Sequence, residues 1–141
     1  MKRRTARENA FFAAFSTTFG ENIDEVIAQS RELEENPVDE FGQQLLTGYF
    51  DHSQEIDQLI EDHLKGWTIA RLPRVSVTAL RLALSEMLYM PDSLAGVAIN
   101  EAVELTKRFG GADDYQFVNG VLGAIAREKG LSQDGAESEQ E

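Results

Sequence analysis

The chain has 141 residues, no cysteine and a formal net charge of −12. That length suits one domain with a real core, and the missing cysteine excludes disulfides and thiolate chemistry. The negative balance favours solubility and argues against wholesale electrostatic binding of nucleic acid. The charge is uneven, however. Lys2, Arg3, Arg4 and Arg7 crowd basic residues at the start, while Asp134, Glu137, Glu139 and Glu141 make the other end acidic.

Thr5-x-x-Glu8 has capping-box spacing and predicts a helix from about Ala6. Phe11, Phe12, Phe15 and Phe19 form its apolar side, and Gly20 closes it. A second helix is expected from about Asp24 to Glu35, stopped by Pro37 acting on Asn36. A third begins near Val38 with Phe41, Leu45 and Tyr49 in register, and breaks between Asp51 and Ser53. The next segment carries Ile56, Leu59, Ile60, His63 and Trp67, with His63 expected to be packed or half-buried. Gly66 and Pro73 bracket a short irregular or helical piece. Ser76 is expected to start another helix, with Leu80, Ala83, Leu84, Met87 and Leu88 as its core residues.

Pro91 to Ser93 then turns into a helical hairpin over Val97 to Leu122. Gly110-Gly111 is expected to end its first arm in the left-handed conformation, and Asp113 or Asp114 to cap the second. Asn119-Gly120 weakens that second arm by ~1–2 kcal/mol on propensity alone, which close approach of a neighbouring helix to the glycine would explain. No alternating run suggests a strand. The reading is therefore an all-α bundle of six to seven helices over residues 1–130, and a disordered acidic tail over 131–141.

Catalytic signals are poor, and no catalytic residue, metal ligand or cofactor is assigned. His52 and His63 would lie about 16 Å apart along one helix, too far to share a metal. Neither a phosphate-binding glycine loop nor a nucleophile elbow occurs. The apolar run Ala10 to Phe15 is too short for a secretory segment or a membrane span, so a cytoplasmic location without membrane contact is expected. The basic start is the informative cluster, because cations are disfavoured at a helix N-terminus. It reads either as a solvated, frayed terminus or as a phosphate-binding arm, for which arginine suits both phosphate and base stacking.

INEAVEL-x-K-x-FG beginning at Ile99, followed by FVNGVL beginning at Phe117, resembles the C-terminal signature of the NusB family of bacterial transcription antitermination factors. Trp67, Arg71-Leu72 and Leu80-Arg81-Leu82-Ala83-x-x-Glu86 fit the same family, as does the basic start running into Ala6-Arg7-Glu8. The resemblance spans most of the chain. It implies an N-terminal three-helix group packed on a C-terminal helical group. It implies binding of single-stranded, boxA-type RNA as a heterodimer with the ribosomal protein NusE, within the RNA polymerase antitermination complex of ribosomal RNA operons. The free protein is expected to be a monomer or homodimer.

The resemblance gives RNA roles to Arg3, Arg4 and Arg7, with Lys2 beside them, and to Phe117 with its neighbour Gln116. Partner contact is expected around Phe15 and in the region of Ser76. Three features depart from the family pattern. Gln116 stands where relatives can carry lysine, Phe15 lacks the hydroxyl of the tyrosine known there, and Thr5 interrupts the arginines. The alternative is a helical protein-interaction module with little RNA affinity of its own.

Overall fold

The computed structural model describes residues 1–131. Within them lie seven α-helices: α1 (Arg3–Thr17), α2 (Ile23–Glu32), α3 (Glu40–Asp51), α4 (Ser53–Glu61), α5 (Arg74–Tyr89), α6 (Ala95–Phe109) and α7 (Asp114–Glu128), with one 3₁₀ turn, Ile69–Arg71, before α5. The fold is all-α, as the apolar periodicity implies.

Local chemistry sets most helix ends. The Asn22 side chain accepts from the Glu25 N–H at 3.1 Å and opens α2, and Asp39 accepts from Gly42 N–H at 2.8 Å and opens α3. α2 ends at Glu32, short of the expected Glu35, because Glu34 and Asn36 adopt φ of 54° and 47°. α4 likewise stops at Glu61, so His63 and Trp67 leave the helix they were expected to share. α5 begins at Arg74, directly after Pro73. α7 closes with Gly130 at φ 67°, its N–H bonded to Arg127 O and that of Leu131 to Ala126 O, which is a Schellman motif. Leu131 packs against the core, so the fold extends one residue past the expected boundary. Residues 132–141 lie outside the described residues, and the expectation of a disordered tail falls there.

Three local readings are corrected. α1 starts at Arg3 with Lys2 at the cap position, and no capping box forms. Thr5 sits exposed in the first turn, and Glu8 instead accepts from Arg108 at 2.7 Å. Gly110 is extended (φ −100°, ψ −173°), not left-handed. Its glycine is required by crowding, since a Cβ there would meet Thr106 O at 2.8 Å. Asp113 makes no side-chain cap, and the Asp114 carboxylate accepts from Gly111 N–H at 2.9 Å.

The hub of the fold is α5, not the α6–α7 hairpin. It is buried on nearly every side and packs against α1, α3, α4, α6 and α7. α1 also packs on α2 and α3, and α6 on α7, so an N-terminal and a C-terminal group meet across α5. One continuous core joins them, with Phe11, Leu45, Leu46, Leu80, Leu84 and Leu122 among its fully buried members. α3 lies against α5 at Gly48, where an added Cβ would collide with Ser85 Oγ. That hydroxyl donates to Leu45 O at 2.6 Å. Arg81 binds Asp57 through two 3.0 Å bonds, and Asp57 also accepts from the Tyr49 hydroxyl, which ties α3, α4 and α5 together. Burial pushes the Tyr49 hydroxyl well above its ordinary range.

Candidate nucleic-acid interface

The basic start is helical, and its arginines are fixed by neighbours. Arg3 and Arg7, four residues apart, share one face of α1. Their guanidinium carbons lie 4.1 Å and 5.3 Å from the centre of the Phe41 ring on α3. Arg7 forks onto Glu86 of α5 at 2.8 Å and 2.7 Å, with side chains only 13% and 7% exposed. Arg4 faces α6 and binds Glu101 at 3.2 Å, with its own side chain 66% exposed. Glu8, one turn on, takes Arg108 of the same helix. The cost of placing cations in a first helical turn is thus offset by carboxylates from α5 and α6.

This sorts the expected RNA contacts. Lys2 and Arg3 are exposed, and Arg4 is paired but accessible. Arg7 is a correction: its guanidinium is held inside, on Glu86, and it belongs to the fold rather than to a solvated arm. The motif Leu80-Arg81-Leu82-Ala83-x-x-Glu86 thereby acquires a structural meaning, since both of its charged side chains are ion-pair partners within the bundle.

Gln116 and Phe117 lie exposed in the first turns of α7, Phe117 at 38%. Phe117 therefore does not fill the core; Val118, Val121, Leu122 and Ile125 do. Its ring stands at a cavity of about 640 Å³ between the α4–α5 connection and α7. Ser76 also lines this cavity and is 1% exposed, so a partner contact in its region would fall on accessible neighbours and not on Ser76 itself. Its hydroxyl has no hydrogen-bond partner among the described residues. At the surface of this end of α5 stands Arg74, which donates to Thr18 O at 2.6 Å and covers the Phe19 ring at 4.3 Å.

Phe15 is half-buried in a file of rings. It stacks on Phe11 at 6.1 Å, meets Phe19 edge-on at 5.3 Å, and Phe11 in turn stacks on Phe109. Phe19 and Phe109 bring this file to the surface, with Phe19 62% exposed. Neither was assigned to a site from sequence. The signal for Phe19 was the Thr17-Thr18 pair, whose hydroxyls bond back to Ala14 O and Phe15 O where the helix ends.

Trp67 likewise is not assigned to a site from sequence. It reads as one more apolar residue of a helix, but Lys65 and Gly66 at φ 48° and 93° turn it outward, 60% exposed beside the same cavity as Phe117. His63 anchors that connection. Its ring nitrogens lie 2.9 Å from Leu59 O and 2.7 Å from the Glu128 carboxylate. With an acceptor at each nitrogen the imidazolium fits best, and the Leu59 carbonyl, then Glu128, raise its pKa against the opposing effect of burial.

The structure thus gathers Lys2, Arg3, Arg4 and Arg7 at one end of α5, and Gln116, Phe117 and Ser76 at the other. Glu86 and Ser76 mark the two ends, about 15 Å apart at the helical rise. An extended chain with charge and flat bases could use both ends; a small ligand could not. Among the described residues no group of His, Asp and Glu converges to hold a metal, and no helix is long and apolar enough to cross a membrane.

Residues 4–127 match the NusB family. The transcription antitermination protein NusB of Lysinibacillus sphaericus is 39% identical over 130 residues, covering 92% of this chain and all of that protein. Its Bacillus subtilis counterpart is 42% identical over 126 residues, covering 89% and 95%. Among solved structures, T. maritima NusB superposes with a TM-score of 0.80 at 33% identity, over 91% of this chain and 92% of that one. A structure of the antitermination factors NusB and NusE in complex with double-stranded RNA matches at a TM-score of 0.80 and 33% identity, over 89% and 96%.

Proposed function

The chain belongs to the NusB family of transcription antitermination proteins, and on that premise we propose that it binds boxA-type RNA as a heterodimer with NusE. In this reading it acts in the cytoplasm, within the RNA polymerase antitermination complex, on ribosomal RNA operons. It is not an enzyme; its relatives are antitermination factors. The supporting observation is that a solved structure of the antitermination factors NusB and NusE with double-stranded RNA contains a chain that matches 89% of this one. Lys2, Arg3 and Arg4 would meet phosphate, Phe117 would stack on an unpaired base, and Gln116 would contribute a neutral polar contact. The partner would cover the aromatic file at Phe15 and Phe19 and the adjoining start of α5, where Arg74, not Ser76, is accessible.

A second reading has its own support. Arg4 and Arg7 are engaged by Glu101 and Glu86, on a chain of net charge −12. That favours a protein-interaction module with little RNA affinity by itself. A shift assay with single-stranded boxA-type RNA and a duplex control, with and without NusE and at several salt concentrations, separates the two. RNA retention by the heterodimer, salt-dependent and selective for the single strand, supports the first reading. NusE binding with no RNA retention supports the second.

A further inference from the structure

Arg3, Arg4 and Arg7 all lie at the start of α1, but the fold holds them in two different ways. Arg4 sits on Glu101 and Arg7 on Glu86, so each is matched by a carboxylate. Among the described residues Arg3 makes no hydrogen bond or ion pair, and it is held instead by the Phe41 ring, with 4.1 Å from ring centre to guanidinium carbon. A ring attracts a cation through its quadrupole and brings no formal charge. Glu101 and Glu86 therefore offset the charges they hold, whereas Phe41 holds that of Arg3 without offsetting it. Glu86 and Asp92 line the same cavity as Arg3, but Glu86 is taken by Arg7, and Asp92 forms no ion pair among the described residues.

The start of α3 puts the ring there. Asp39 caps that helix on Gly42 N–H at 2.8 Å. Gly42 in turn sits against α1: an added Cβ would lie 3.4 Å from Ala6 O and 3.3 Å from the Val38 and Asp39 side chains. Glycine thus lets the backbone beside Phe41 come up to the start of α1. The ring is half-buried and packs against the core. Arg7, 5.3 Å from the same ring centre, is fixed by Glu86 through bonds of 2.8 Å and 2.7 Å. A line of contacts therefore runs from Glu86 through Arg7 and Phe41, and ends on an exposed cation.

We propose that Phe41 is a positioning residue for RNA: it orders the Arg3 side chain before RNA arrives, and leaves its charge and its N–H groups for phosphate. A long side chain that must be ordered on binding costs affinity, and one already ordered avoids that cost. The inference rests on the RNA-binding reading above and adds to it a residue of α3 that acts through Arg3.

The test measures binding of single-stranded boxA-type RNA by the heterodimer with NusE, for the parent, Phe41→Leu, Phe41→Tyr, Arg3→Gln and the double variant Phe41→Leu with Arg3→Gln. Phe41→Leu should weaken binding roughly two- to tenfold, the cost of ordering one side chain. Phe41→Tyr keeps the ring and should bind as the parent does. Arg3→Gln should flatten the log–log salt slope by about 0.7, the share of one phosphate. In the Arg3→Gln background Phe41→Leu should have no further effect; a general effect of the leucine on folding enters both arms of this cycle and cancels. Parental affinity in Phe41→Leu, or an equal loss with and without Arg3, overturns the positioning role and leaves RNA binding intact. An unchanged slope in Arg3→Gln also overturns it, since Arg3 would then meet no phosphate. No RNA retention by the parent heterodimer overturns the RNA-binding reading and the proposal with it.

Discussion

Arg7 shows how one side chain changes role once its neighbours are known. In the sequence it is the fourth cation of a basic start; in the fold its guanidinium forks onto a buried carboxylate. Removing one member of such a pair strands the other, so Arg7→Ala should cost ~3–5 kcal/mol in chemical denaturation. Replacing both, as Arg7→Met with Glu86→Leu, should recover most of that loss. A loss under ~1 kcal/mol for the single variant would place Arg7 back among the surface charges. Arg3→Ala should barely change stability, because a solvent-facing cation–π contact is worth about 0.5–1 kcal/mol, and should act on RNA affinity instead.

His63 is the other residue with a measurable signature. Its folded-state pKa is raised, so its pairing stabilises the fold fully below the ordinary imidazole value of about 6.5 and ceases to do so as pH rises through the folded value. Glu128→Gln should therefore melt below the parent at a pH under the ordinary imidazole value of about 6.5, with the gap closing as pH rises through the raised value. A gap independent of pH would show that the imidazolium is not the bonded form.

Helix contacts and helix ends carry the next set of consequences. Gly48 lets α3 lie against Ser85 of α5, and the same hydroxyl holds Leu45 O. Gly48→Ala should destabilise by ~1–3 kcal/mol despite its better helix propensity, as overpacking does. Ser85→Ala should partly rescue it, because the obstructing oxygen is gone; a strictly additive double-mutant cycle would show that the two helices do not meet there. At the C-terminus, truncation after Leu131 should leave the melting temperature alone. Truncation before Leu131 should lower it, since the Schellman bond and the contact of Leu131 with the core go together. Equal melting temperatures for both truncations would return the boundary to Gly130.

For the whole molecule, the pairing of the arginines bounds RNA affinity. With Arg7 inside, at most Lys2, Arg3 and Arg4 reach phosphate from the basic start. At about −0.7 per phosphate on a single strand, the log–log salt slope of this end should be no steeper than about −2. Binding that weak at physiological salt needs a second surface, which a ribosomal protein partner can supply through effective concentration. Linkage then requires RNA to tighten the protein pair by the factor by which the partner tightens RNA. The full cycle measures both factors. Two factors near one would leave an independent RNA binder or a protein adaptor. A slope much steeper than −2 for the chain alone would show cations acting beyond the basic start.

The sequence by itself determined the helical class, the order of the helices and the family. These rest on local rules: apolar period, the stop before Pro37, and motif strings that survive as text. The resemblance to relatives also assigned Phe117 a role at the RNA, although its helical spacing alone reads as core. Tertiary structure alone decided that α5 is the hub, since that depends on how many helices surround it and not on its own pattern. It likewise decided that Arg7 is internal and Arg3 external. Their local chemistry is the same; the difference is a carboxylate 79 positions away on another helix. Trp67, Ser76 and Gly120 converge on one cavity for the same reason. Exposure, pairing and an open cavity are properties of neighbours distant in the chain, and a linear reading carries no distance between them.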